Sequence, residues 1–498
     1  MVTSEATPFA KTGGLADVCG ALPLELAELG HEVTLMLPAY AQARQAGLPL
    51  ERTGVTVNIP IGNKHVAGSF LKTSLADGRV TVLLVEQDQY FDRPELYRAN
   101  GRDYRDNSER FIFLSRAVLE AIRLLRLDID VIHANDWQTG LVPAYLKIEY
   151  RQLPGFERIG TLFTIHNMAY QGVFWHWDML LTGLDWKYFN WQQVEFYGNL
   201  NLLKTGLVFA DRLNTVSPRY AQEIQSSPLG CGLEGLLGIR REALSGIING
   251  VDNNEWNPAT DSHLAARYTP ENPWAGKAAC KAALQRALKL PESPRTPLIA
   301  FVGRLAEQKG IDLILKVVQD WTPTEDAQWV LLGSGDTHYQ DAFEQLRRHW
   351  PHRLATRFEF SNTLAHQIEA GADIFMMPSH FEPCGLNQLY SLKYGTVPVV
   401  RSVGGLADTV TDFAVDDPGR QTTGFVFDGY SPQELGAALR RAVDAYKQPD
   451  VWRSLVLRGM RQDWSWRRSA EKYLALYGEI VAQRAGELAI RSRSGALK

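Results

Sequence analysis

The chain has 498 residues, 45% of them hydrophobic and 22% charged, proportions that exclude a disordered, collagen-like or low-complexity protein. Single cores stop growing near about 250–300 residues, so at least two domains are expected. The 52 Lys and Arg against 56 Asp and Glu leave a formal net charge of -4, which supplies no basic field for nucleic acid or an anionic membrane; an anionic ligand must be gripped by a local cluster of cations.

The N-terminus, MVTSEATPFAKTGG, has no basic leader and no apolar signal core, and no stretch approaches the ~18 apolar residues of a membrane span. Four cysteines (Cys19, Cys231, Cys280, Cys384) without a CxxC pair suit a reducing compartment and no structural zinc, so a cytoplasmic location is expected. The runs VTLMLPAY (33–40), RVTVLLVE (79–86), DVIHAN (130–135), GTLFTIHN (160–167) and DRLNTVS (211–217) read as buried parallel strands, being continuously apolar and not alternating. Between them, stretches such as 107–126 carry apolar residues at helical spacing.

The pattern restarts after a Pro/Gly/Asn-rich zone at 245–297. LIAFVGR (298–304), WVLLGSG (329–335), RFEFS (357–361), DIFMMPS (373–379) and VPVVRS (397–402) form a second strand series. The expectation is an α/β protein of two Rossmann-like, doubly wound parallel-sheet domains, 1–246 and 249–460, with the ligand cleft at the carboxyl ends of their strands. A last amphipathic segment, 463–483, places Trp466, Ala470, Tyr473, Leu474 and Tyr477 on one face and is expected to pack back on the first domain. From Arg484 on, the apolar content is low and fraying is expected. Most of the 13 Trp and 18 Tyr residues are expected in the cores, with surface rings for sugar stacking as the alternative use.

Two motif matches fail in context. GCGLEG (230–235) fits the dinucleotide fingerprint but follows a helical stretch instead of a strand, so its glycines are expected to shape a mobile loop. Asp128 and Asp130 make a DxD, yet they stand at the entry of a strand, the end away from ligands in a parallel sheet. P-loop, HExxH and GxSxG signatures are absent.

Three segments carry chemistry. KTGGLAD (11–17) joins Lys11 to a glycine pair that opens a helix, a place for a phosphate or a sugar hydroxyl; GGLAD recurs at 404–408, where two similar loop-to-helix turns are the plainer account. GRLAEQKG (303–310) sets Arg304 and Lys309 beyond a strand's carboxyl end, as a diphosphate leaving group requires. PSHFEPCGLNQ (378–388) offers the Glu382 carboxylate for sugar hydroxyls, Gly385 for close approach, and the N–H groups of Leu386 and Asn387 at a helix start. Structural readings stand beside these: Glu382 as a helix cap, His166 as a buried core histidine, Asp136 and Asn249 as turn residues, Cys384 as a small apolar filler.

Together KTGGLADV, HANDWQTGL, FTIHNMAYQG, NTVSPRYAQEI, INGVD, GRLAEQKG, HFEPCGLNQ and SWRRSAEKYLALY resemble the bacterial and plant glycogen/starch synthases, retaining glucosyltransferases of the GT-B fold, over nearly the whole chain. The resemblance implies that Lys11 contacts the sugar nucleotide, with Gly14 and Asp17 nearby. It implies that Asp136, His166 and Asn167 bind the transferred glucose, the His166 carbonyl lying near the anomeric carbon. Asn249 would line the cleft, Arg304 and Lys309 would neutralise the diphosphate, Glu382 would hold glucose hydroxyls, and Cys384 would line the same pocket. The implied reaction moves glucose from ADP-glucose to the nonreducing end of an α-1,4-glucan such as glycogen, without metal or organic cofactor. A UDP-glucose-using GT-B enzyme and a catalytically silent sugar-binding protein are the alternatives.

Two departures qualify the resemblance. The wider retaining GT-B group often carries a second Glu eight residues after the first, where this chain has Tyr390, which speaks against a mechanism with paired carboxylates. Family members also usually begin several residues earlier, so an upstream start is expected for the first strand.

Overall fold

The computed structural model describes residues 1–413 and 421–495, with side chains described as far as Ile490. Two compact units emerge. The first comprises Met1–Val216, Ala221–Ile247 and the chain from Trp466 on; the second comprises Ser217–Tyr220 and Ile248–Ser465.

In the first unit Val33–Pro38 (β1), Glu51–Ile61 (β2), Lys64–Leu75 (β3) and Val80–Glu86 (β4) form one ladder in the order β1-β4-β3-β2. Val131–Asn135 (β5), Gly160–Ile165 (β6), Arg212–Thr215 (β7) and Leu244–Gly246 (β8) form another, all parallel, in the order β8-β7-β6-β5. Val2 joins the two, bridging in parallel to Met36 of β1 and Ala134 of β5; its N–H donates to the His133 carbonyl at 2.8 Å and its carbonyl accepts the Asn135 N–H at 3.1 Å. The chain therefore leaves the middle of the sheet at its carboxyl edge and enters the KTGG loop directly.

The antiparallel hairpin β2–β3 is not among the expected strands, because it carries no continuous apolar run. Its strands are polar on one face, with β2 alternating exposed and buried positions from Thr56 to Ile61, and Gly62-Asn63 turns the chain between them.

The helix Trp466–Gly495 lays Trp466, Ala470, Tyr473, Leu476 and Ile480 against Val18, Leu22 and Leu26 of the helix Gly14–Glu28. Residues expected to fray are helical as far as Gly495. The start of this stretch is anchored: Ile480 packs against Gly160, where no side chain intervenes, and the buried Arg484 guanidinium donates to the Glu157 carbonyl at 2.7 Å.

The second unit is a six-stranded parallel sheet of Leu298–Val302 (β9), Gln328–Leu332 (β10), Leu354–Arg357 (β11), Ile374–Met377 (β12), Val397–Arg401 (β13) and Phe425–Phe427 (β14). The order is β11-β10-β9-β12-β13-β14, so the winding reverses between β9 and β12, where doubly wound sheets open a crevice at their carboxyl ends. The expected strand 357–361 lies earlier: Leu354, Ala355 and Thr356 are buried in register with β10, whereas Phe360 is 89% exposed.

A ring stack pins the Pro/Asn-rich segment that opens this unit. Trp256 stacks on the His366 ring at 3.8 Å and on the Tyr390 ring at 3.9 Å between centroids, both nearly parallel to it. Behind the stack the buried Asp261 carboxylate accepts from the Tyr394 hydroxyl (2.7 Å) and the His263 N–H (2.8 Å), and bonds the His366 Nδ1 (2.7 Å). Burial opposes ionisation of Asp261, yet these hydrogen bonds hold its carboxyl below the ordinary value. Asp261→Ala removes one acceptor from two buried donors and is expected to cost about 3 kcal/mol, lowering this unit's thermal midpoint by roughly 6–12 °C in calorimetry.

Candidate active site

Residues singled out from the sequence fall into two groups, one in each unit. In the first unit the strand end and the helix Gly14–Glu28 are joined by a loop folded around Glu5. The Glu5 carboxylate, 4% exposed, accepts from the Thr12 N–H (2.5 Å), the Thr12 hydroxyl (2.6 Å), the Gly13 N–H (3.3 Å) and the Tyr97 hydroxyl (2.7 Å). The N–H groups of Thr12 and Gly13 are thus engaged by the protein's own carboxylate, whereas open N–H groups were expected at the Gly13-Gly14 pair. What remains for an anion is Lys11, which reaches the Asp17 carboxylate at 2.5 Å while staying exposed, and the helix start at Gly14.

Asp136 follows β5 with φ of 56°, a left-handed conformation costly for a residue with a side chain. Its buried carboxylate accepts the His166 N–H at 2.7 Å and the N–H of Asn167, clamping the turn that leaves β6. Burial pushes this carboxyl up to about 7; the His166 N–H pulls it down, the Glu5 charge pushes it up, and the Asn167 N–H pulls it down. Burial likewise depresses the His166 imidazole to about 3. Its Nε2 lies 3.0 Å from Asn135 Oδ1, and the Asn135 amide nitrogen donates to the Val2 carbonyl, which fixes the amide's orientation. His166 therefore carries its proton on Nε2 and presents Nδ1 as an acceptor.

In the second unit the loops leaving β9 and β12 interlock at the point where the winding reverses. Gly310, at φ 70°, leaves no room for a Cβ beside the Pro378 carbonyl, and the His380 N–H donates to the Gln308 carbonyl at 2.8 Å. Lys309 Nζ meets Glu382 Oε2 at 2.6 Å, and Ser379 Oγ donates to the same oxygen at 3.0 Å. Arg304 is exposed and donates to Gln308 Oε1 at 3.1 Å. The helix Asn387–Tyr394 starts after Leu386, and the Asn387 side chain donates back to the Val302 carbonyl at 2.7 Å, tying this helix start to β9.

Gly385, at φ 72°, turns the loop. Cys384 is buried beside Asn249, whose backbone N–H bonds its sulfur; burial pushes the thiol up to about 12, so it is inert at neutral pH. The Asn249 Oδ1 is buried and has no hydrogen-bond partner among the described residues. The second glycine pair has a different origin from the first: Cβ atoms at Gly404 and Gly405 would collide with the Glu382 and Cys384 carbonyls, so those glycines serve backbone packing. At Gly13, by contrast, no atom of the described residues beyond its chain neighbours lies within 4 Å of where a Cβ would stand.

Glu5, Tyr97, Ser379 and Gln308 were not singled out from the sequence. Glu5 sits seven residues before Thr12 with no periodic signal to mark it, and the others act through tertiary contacts. In the loop at 230–235 the Gln171 amide donates to the Cys231 carbonyl at 3.0 Å. Asp128 pairs with Arg158 ahead of β5, apart from both groups.

The family described as starch synthase catalytic domain matches residues 1–238, and glycosyl transferases group 1 matches residues 286–454. A glycogen synthase of Anaeromyxobacter dehalogenans is 50% identical over 96% of this chain and 99% of its own, and one of Rhodopirellula baltica is 44% identical over 99% of each. The chain belongs to the glycogen and starch synthase family. It is thus a glucosyltransferase of the GT-B fold. Among solved structures, the catalytic domain of Arabidopsis thaliana starch synthase IV, bound to ADP and acarbose, aligns with a TM-score of 0.87 at 32% identity, covering 97% of this chain and 98% of that one. Sucrose-phosphate synthase from Thermosynechococcus elongatus, at 16% identity and a TM-score of 0.59, covers 97% of this chain and 98% of that one and shares the fold.

Asp136 and His166 oppose one another in acid. His166 stays neutral in the fold while the unfolded chain takes up a proton below about 6.5, so its contribution to stability is lost as pH falls from about 6.5 to about 3. The raised Asp136 carboxyl favours the fold at low pH, a contribution lost as pH rises from about 4 through about 7. The His166 ring resonances should show no titration from pH 8 to pH 5 in NMR of the labelled protein; a midpoint near the ordinary histidine value would remove the neutral-imidazole assignment.

Proposed function

We propose that this synthase transfers glucose from ADP-glucose to the nonreducing end of an α-1,4-glucan, with retention at the anomeric carbon, in the cytoplasm. The observation that carries the reading is the Lys309–Glu382 pair, with Arg304 on the neighbouring turn, at the carboxyl ends of β9 and β12. Cations and a helix start gathered there suit a diphosphate whose charge grows as the sugar departs. The ADP held by the Arabidopsis relative supports the nucleotide. The four cysteines are all unpaired, which suits a reducing compartment.

In this reading Arg304, Lys309 and the N–H groups at Leu386 and Asn387 stabilise the diphosphate, and Glu382 and Cys384 border the glucose. Asn249 offers its unpartnered Oδ1 to a substrate hydroxyl. Asp136, His166 and Asn167 take the sugar from the first unit, with Lys11, Gly14 and Asp17 contacting the donor. Position 390, eight residues after Glu382, is a tyrosine stacked on Trp256, so no second carboxylate stands there. The glycosidic bond is accordingly made on the face the diphosphate leaves: the C1–O bond to phosphate breaks, the acceptor oxygen bonds C1, and its proton passes to a phosphate oxygen. The His166 carbonyl faces the positive charge that develops at C1.

Incubation with glycogen and either ADP-glucose or UDP-glucose tests the donor, the expected result being primer-dependent release of ADP at least about tenfold faster than that of UDP. Glu382→Gln should lower this rate by about 10²–10³ with the fold retained by circular dichroism; undiminished transfer would remove Glu382 from the site. A second measurement addresses Asp136. Because its carboxyl titrates at about 7 in the free protein and its ionised form accepts the two N–H groups, kcat/KM should fall about tenfold per pH unit below that value, and Asp136→Asn should abolish this limb along with most activity.

A further inference from the structure

Every exposed tryptophan among the described residues lies within seventeen positions of the first unit: Trp175 (62% exposed), Trp177 (48%), Trp186 (42%) and Trp191 (74%). Tyr170 and Tyr197 flank them, also exposed. Three of the rings touch in series, Trp175 to Trp177 at 6.5 Å and Trp177 to Trp186 at 5.5 Å between centroids, and Trp186 stacks on the half-buried Phe189 at 4.9 Å. The array is held from beneath. Lys204 donates to the Trp191 and Glu195 carbonyls at 2.6 and 2.5 Å, and the Leu202 N–H donates to the Gly172 carbonyl at 3.1 Å.

The array is continuous with the site already described. Trp137, the residue after Asp136, is covered by Gly172, where a Cβ would collide with its indole, and its ring lies 5.7 Å from Phe174, the residue before Trp175. The segment itself issues from the turn that carries His166 and Asn167.

We infer that Trp175, Trp177 and Trp186 form a platform for the body of an α-glucan chain, distinct from the groups assigned to the reacting sugar. The electron-rich faces of indole rings receive the C–H face of a pyranose, while their fixed spacing requires little ordering on binding. The charges of the segment select against other occupants. From Tyr170 to Tyr197 there are three carboxylates (Asp178, Asp185, Glu195) and one lysine (Lys187), which attracts neither a polyanion nor an anionic membrane. Polar side chains interleave the rings, His176 and Asp178 between and beside the first two and Asp185 and Lys187 flanking Trp186, where an interface between two copies would present a contiguous apolar core. A neutral, hydroxyl-rich polymer fits both the rings and the spacing of polar groups.

The platform rests on the proposed glucan acceptor, and its test separates the two ideas. Electrophoresis of the full chain through native gels containing glycogen, with albumin as the non-binding standard, reads the platform without catalysis. The wild type should be retarded, and Trp175→Ala/Trp177→Ala should lose about tenfold or more in apparent affinity, with a matching rise in KM for glycogen. Trp175→Phe/Trp177→Phe, which keeps two aromatic faces, should recover most of the retardation. Unchanged retardation of the alanine variant overturns the platform, as does a wild-type dimer in sedimentation that dissociates in that variant. Transfer to maltotriose by the wild type reads the proposed reaction separately, so loss of one result leaves the other standing.

Discussion

Carboxylates removed from water and satisfied by backbone N–H groups and side chains of the loops around them set the shape of the candidate residues' loops in each unit. Glu5 gathers two backbone N–H groups and two hydroxyls and so folds the segment from Thr12 to Gly13. Asp136 clamps the turn at His166 and Asn167 from a strained backbone position. Glu382 holds Ser379 and Lys309, joining the loops of β9 and β12. A buried carboxylate left without such partners costs several kcal/mol, so each loop is confined to the geometry that supplies them. On the proposed reading, the rigidity needed to orient a sugar is built by the same contacts that make the carboxylates tolerable.

The two GGLAD segments show how one short motif serves two ends. At 404–405 the glycines are demanded by the protein, whose EPC carbonyls occupy the space a Cβ would fill. At Gly13 the backbone is extended, at φ -163°, and the space beside it is open, so neither conformation nor packing requires glycine there. The neighbouring Lys11, exposed and paired to Asp17, is placed to meet an anion.

The strands buried on both faces were legible because burial on both sides writes a continuous apolar run, as in GTLFTI of β6. The hairpin β2–β3 was not, since half its side chains face water, although VTVNIPIGN carries an alternation and a Gly-Asn turn that a search for period two would find. RFEFS was misplaced because apolar content alone cannot say which residues sit in register with a neighbour, and Phe360 lies outside the sheet. In the site, residues in dense local motifs, such as Lys309 and Glu382, stood out. Those acting across the sequence did not: Tyr97 reaches Glu5 across 92 positions, and no local pattern encodes that contact. The C-terminal helix was read too short because Arg484 counts as polar in sequence, whereas its guanidinium is buried against a backbone carbonyl.

The Lys309–Glu382 pair bears on how an anionic donor enters. An ammonium has three donors, and one is committed to Glu382 at 2.6 Å, so Lys309 can take up a phosphate oxygen while keeping its carboxylate. A lysine held only by solvent would have to be ordered and desolvated when the diphosphate arrives. Here Glu382 and the interlocked loops have ordered it beforehand, and the buried carboxylate in turn is kept from repelling the incoming charge at full strength. Arginine at this position would present a planar fork suited to bidentate pairing with Glu382, and its donors would be committed to that pair. On the proposed reading, a compact point charge shared between a carboxylate and a leaving group is better matched to a site in which negative charge moves from the sugar bond onto phosphate during the reaction.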